Sequence, residues 1–146
     1  MDERKQRVVS QRNISTHQLD DILKGEVLTS LGSAGSALDV NRMLDAARRR
    51  FAPNAIWTIG ALEVEQLTPE AHTRLIIAFN EFRTAGGIKL IVICTKVKVM
   101  SLFISAAREA RNIDLKIVSS VAEASSLANS YRSHIRTKNH TEQAEK

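Results

Sequence analysis

The run Ile88-Lys-Leu-Ile-Val-Ile-Cys-Thr95 constrains this chain more than any other feature. It has the length of a strand, is almost wholly apolar, and does not alternate. A strand with one wet face alternates apolar with polar residues; one that does not alternate is covered on both faces. Such strands lie in the interior of sheets, mostly parallel ones, and parallel neighbours are joined by helical crossovers. The run therefore predicts an α/β sheet, and the rest of the chain can be searched for its helices and flanking strands.

The helices are legible from their caps and stripes. Ser36 with Asp39 three places on is an N-cap pattern. Val40, Met43, Leu44, Ala47 and Phe51 follow it at the spacing of one buried face, and Pro53 ends it. Thr68-Pro69-Glu70 opens a second helix: threonine caps, proline fits the first turn, and glutamate suits the dipole. Its buried stripe is Ala71, Leu75, Ala78, Phe79 and Phe82, and Gly86-Gly87 stops it. Val99, Leu102, Phe103, Ala106 and Ala110 mark a third helix. Ser120-Val-Ala-Glu123 is a capping box for a fourth, with Val121, Ala124, Leu127, Ala128 and Tyr131 on one side. Ala55–Leu62 and Asp114–Val118 read as strands, the latter at an edge. Residues 12–17 and 20–28 suit a hairpin. The expected order is a hairpin, then helix and strand three times, then a helix. That is one α/β domain with a mixed, mostly parallel sheet of 4–5 strands and about four helices.

Charge narrows the function. The 146 residues carry 21 Lys and Arg against 16 Asp and Glu, a formal +5. Residues 1–12 and 132–146 hold +2 each, leaving 13 bases and 12 acids in between. The expected division is a basic tail over 1–12, a nearly neutral domain over 13–131 and a basic tail over 132–146. Nucleic-acid binding through the tails is one functional alternative, and it implies salt-sensitive affinity. Aromatic content of 4% offers no stacking platforms for single strands, and Trp57 reads as core. No apolar run reaches the ~20 residues of a membrane span. The charged start lacks a signal-peptide core, and the lone Cys94 makes no disulfide. A cytoplasmic location is the expectation.

No familiar catalytic constellation is visible, and neither a metal nor a cofactor is expected. Glu63 and Glu65 flank Val64 with no acid–base partner in sight. His72 falls on no ligand spacing, and Cys94 reads as a buried, inert thiol. Gly32-Ser-Ala-Gly35 is neither a Walker A loop nor a dinucleotide fingerprint. Arg48, Arg49 and Arg50 fan around a helix end and suit its dipole. Lys96 and Lys98, beyond the central strand, are a candidate anion contact, because ligands of open α/β sheets bind beyond the strands' carboxyl ends. A small anionic-ligand carrier with a site near Lys96 is a second alternative. Edge strands also leave self-association as a homodimer open.

The element order resembles that of a STAS domain, the fold of anti-sigma-factor antagonists and of the cytoplasmic part of sulfate transporters. Four segments carry the resemblance: Leu23-Lys24-Gly25-Glu26-Val27; Ile56-Trp57-Thr58-Ile59-Gly60-Ala61-Leu62; Thr84-Ala85-Gly86-Gly87 leading into Ile88–Thr95; and Ile117-Val118-Ser119 with Val121, Glu123 and Ala124. Together they span about residues 20–130. The chain departs from the family where Thr58 replaces the usual acid after the strand. It also has Gln66-Leu67-Thr68-Pro69-Glu70 in place of Asp-Ser-Ser-Gly, which is closer to a divergent branch of small bacterial STAS-like proteins. The resemblance implies a non-enzymatic regulatory module acting by protein–protein contact at the start of the second helix. It makes Thr68 the nearest counterpart of the phosphoacceptor. The implied contact face is Glu63, Glu65, Gln66, Glu70 and Thr73, and the implied partner an anti-sigma factor, kinase or sensor.

Overall fold

The structure, a computed structural model, describes the backbone of residues 26–144 and side chains to residue 133. Four strands alternate with four helices: β1 Glu26–Ser30, α1 Ala37–Arg48, β2 Ile56–Gly60, α2 Pro69–Thr84, β3 Lys89–Ile93, α3 Val97–Glu109, β4 Leu115–Val118 and α4 Val121–Ala144. The sheet order is β1-β2-β3-β4, and every pairing is parallel. Ile88–Thr95 therefore supplies an interior strand, as its composition requires. The antiparallel partner expected at 12–17 lies outside the described residues. The strand placed at 20–28 is observed further on, ending at Ser30.

All three crossovers step the same way along the sheet. Right-handed connections then put α1, α2 and α3 together on one face. Their stripes meet Val27, Trp57, Ile59, Leu90, Val92 and Cys94 in the main core. All four phenylalanines and the one tryptophan join here. Phe51 lies 5.3 Å from Trp57 and 5.1 Å from Phe82 between ring centroids, and Phe79 is 5.9 Å from Trp57 and 6.4 Å from Phe103. The Trp57 Nε1–H donates to Thr29 Oγ1 at 2.9 Å, so its one polar atom is satisfied. Gly87 is required by this cluster: a Cβ there would sit 2.3 Å from the Phe82 ring.

The helix starts follow their caps. Ser36 Oγ accepts from the Asp39 N–H at 3.2 Å, and the Asp39 carboxylate accepts from the Ser36 N–H at 3.2 Å. Thr68 Oγ1 accepts from the Ala71 N–H at 3.0 Å with Pro69 in the first turn. The expected box at α4 is shifted. Ser120 Oγ accepts from the Glu123 N–H at 3.1 Å, but the Glu123 carboxylate reaches back to the N–H of Ser119, at 2.9 Å, rather than of Ser120.

Helix α4 covers the opposite face of the sheet. Ala124 and Ala128 pack on Ile56, Ile91, Ile93 and Val118, with Leu127 and Tyr131 half-buried beside them. Two expectations are corrected here. Val121 is 67% exposed rather than part of the buried stripe. The helix also continues through Ala144, into the stretch expected as a loose tail. Arg132, assigned to that tail, pairs with Glu26 of β1 at 3.1 Å and so belongs to the fold.

Candidate functional site

The site indicated by the sequence forms at the carboxyl ends of β1, β2 and β3. After β2 the chain alternates anchors and exposed groups. Ala61, Val64 and Leu67 are buried, while Glu63, Glu65 and Gln66 are exposed. Three apolar side chains thus hold the loop down and turn its polar residues outward. The Gly32–Gly35 loop is pinned against it. The Gly35 N–H donates to Gly32 O at 3.0 Å, and Gly35 O accepts from the Thr68 N–H at 3.0 Å. Gly35 adopts φ +60°, and a Cβ there would lie 2.0 Å from Gln66 O. Only glycine permits that approach. The Gly32–Gly35 stretch is therefore a strut for the Thr68 segment.

Thr68 is half-buried, its hydroxyl engaged in the cap. Glu70 and Thr73 are exposed on the first turns of α2, and the Thr73 hydroxyl donates to Pro69 O at 3.3 Å. The structure thus brings Glu63, Glu65, Gln66, Thr68, Glu70 and Thr73 onto one surface. Lys96 joins its edge through an ion pair with Glu65 at 3.5 Å. The Glu65 side chain is largely in water and that of Lys96 partly so, and the pair adds little stability. Lys96 is also the N-cap residue of α3, with no side-chain cap bond, and Lys98 is exposed in the first turn. Lys96 thus already faces a carboxylate, the kind of group it was expected to recruit.

The remaining candidates have structural roles. His72 Nε2 lies 3.1 Å from Ser105 Oγ and links α2 to α3. Arg48 spans α1 and α2, bonding Glu81 at 3.1 Å and Asp45 at 2.9 Å. That guanidinium, donating to Glu81, holds its carboxyl below the ordinary glutamate range. Cys94 is buried, and burial pushes its thiol up. Among the described residues no three His, Cys, Asp or Glu side chains are grouped to hold a metal, and no helix is long and apolar enough to cross a membrane. Thr58 lies inside β2, within the strand expected over Ala55–Leu62, and is only 8% exposed.

A second concavity, marked by no sequence motif, lies on the other side of the sheet. It is a groove of about 150 Å³ between α4 and the first two strands, lined in part by Leu28, Ile56, Thr58, Ala124 and Ala128. Its signals were faint: one hydroxyl inside an apolar strand, and small residues repeated along one helix face.

Scanned against protein-family models, and searched against curated proteins and solved structures, the chain matches none.

Proposed function

We propose that this domain is a non-catalytic, cytoplasmic regulatory module that binds a protein partner through the surface around Thr68. The reading rests on the resemblance to STAS-like anti-sigma-factor antagonists of the small bacterial branch. One structural observation supports it most: the Gly35–Thr68 backbone bond, with Val64 and Leu67 buried beneath, presents Glu63, Glu65 and Gln66 on a pre-set loop beside Glu70 and Thr73 of α2. A surface ordered before binding loses little conformational freedom on binding. Three carboxylates on it suit a partner carrying basic side chains. Phosphorylation of Thr68 is the natural switch for such a surface. It would place roughly two negative charges at the N-terminus of α2, where a phosphate is electrostatically accommodated. The same charges would alter the field that any charged partner meets.

Affinity capture from the native cell tests this. The wild-type chain is expected to enrich a protein partner. A Glu63→Lys, Glu65→Lys, Glu70→Lys triple variant is expected to lose at least about tenfold of it, given several reversed contacts. Equal recovery by the triple variant, or capture of nucleic acid that salt releases, would overturn the reading. Mass spectrometry of Thr68 from the same cells tests the switch separately, and absence of phosphate there would remove it.

A further inference from the structure

We infer that the groove between α4 and the β1–β2 edge binds a small neutral amphiphile, an apolar body of aromatic-ring size carrying one hydroxyl. The site is separate from the Thr68 surface and does not depend on the reading given to it. Its walls are apolar: Leu28, Ile56 and Ile93 from the sheet, Val121, Ala124 and Ala128 from α4. The helix contributes small residues where larger ones would close the space, and the volume of about 150 Å³ matches an apolar cavity that admits benzene.

The floor carries the observation that points to a ligand. Thr58 is 8% exposed, and among the described residues its Oγ1 has no hydrogen-bond partner. Buried hydroxyls are ordinarily bonded, and an unbonded one is a standing cost that a ligand hydroxyl can remove. Thr29, on the neighbouring strand, shows the ordinary case: its hydroxyl accepts from the Trp57 Nε1–H. The charges at the groove argue for a neutral ligand. Glu26 and Arg132 both line it and pair with each other at 3.1 Å. The two charges already answer each other, so the pair leaves neither of them calling for a charged ligand. The exposed Leu28, at 71%, and Val121, at 67%, give the groove an apolar rim.

The test is methyl-detected NMR titration of the full chain with phenol and, separately, toluene. Phenol is expected to shift the methyls of Leu28, Ile56, Ile93, Ala124 and Ala128 saturably, in roughly the millimolar range expected of so small a ligand. It should bind at least as tightly as toluene, although water solvates it better. Thr58→Val keeps the shape and removes the hydroxyl. It should shift the phenol-to-toluene affinity ratio toward toluene by roughly three- to tenfold. Because the ratio is taken within one variant, it is insensitive to a general change in the fold. Ser125→Phe, made at an exposed position on the groove, should block both ligands. Absence of saturable groove shifts, or a ratio unchanged by Thr58→Val, would overturn the assignment. So would groove shifts that depend on protein concentration but not on phenol, which would make a second copy of the chain the occupant.

Discussion

The two faces of the sheet are built on different terms. The face under α1–α3 holds every phenylalanine and the tryptophan, and its buried indole N–H is bonded. Among the described residues, the face under α4 is covered by one helix, whose buried contacts are Ala124 and Ala128. Its one aromatic, Tyr131, sits at the margin with Lys89 Nζ 4.2 Å from its ring centroid. It also keeps a groove floored by a hydroxyl that has no hydrogen-bond partner among the described residues. A three-helix layer fills its face with large interdigitating side chains. A single helix has fewer side chains to fill the same span, and where those are small it leaves space. The first face thus specifies the fold, and the second has room for a ligand.

Substitutions on the two faces should therefore differ in size and sign. Phe79→Ala removes a ring from the middle of the aromatic chain and is expected to cost about 3–5 kcal/mol, read by chemical denaturation. A loss under about 1 kcal/mol would mean that this face is far looser than its packing implies. Thr29→Val strands the Trp57 N–H in the same core, with an expected loss of about 1–3 kcal/mol. Tryptophan fluorescence in the native state should report the altered indole environment. At the rim, Ser36→Ala removes half of the α1 capping box and should cost about 1 kcal/mol. Smaller still is Glu81→Gln, which weakens the bridge between α1 and α2. The Glu81 carboxyl is held below its ordinary range in the folded chain. Its contribution is therefore present above the ordinary glutamate pKa and lost as pH falls through the lowered one. The variant's melting temperature should fall by no more than a few degrees at neutral pH. That deficit should begin to close as pH falls below the ordinary glutamate range and vanish only below the lowered value of the folded chain, where the wild-type side chain is also protonated.

The same contrast explains what could be read from the sequence. The three-helix face was legible because its helices carry large apolar residues at strict helical spacing. Ala71, Leu75, Ala78, Phe79 and Phe82 are all buried as the spacing requires. The loop around Thr68 was legible in its caps but not in its rigidity. That rigidity depends on Gly35 meeting Gln66 O across 31 positions of sequence, a contact without a local signature. On the α4 face, periodicity ran out at Tyr131, since Arg132 and the residues beyond it are nearly all polar. The helix nevertheless extends through Ala144, with Arg132 paired to Glu26 near its middle. Polar stretches do not reveal their state when long-range ion pairs help to set it. The groove was invisible for a related reason: alanine on a helix marks a buried face and says nothing about what is missing opposite it.

The most direct test compares the two threonines by thermal melting of Thr29→Val and Thr58→Val under identical conditions. Both changes exchange a hydroxyl for a methyl on adjacent strands of one sheet. Thr29→Val should melt lower than wild type. Thr58→Val should melt at the wild-type temperature or above it, because the buried hydroxyl it removes has no partner among the described residues to lose. Equal losses in both would mean that the Thr58 hydroxyl is bonded in the folded chain, and would contradict both the difference between the faces and the groove assigned to the second.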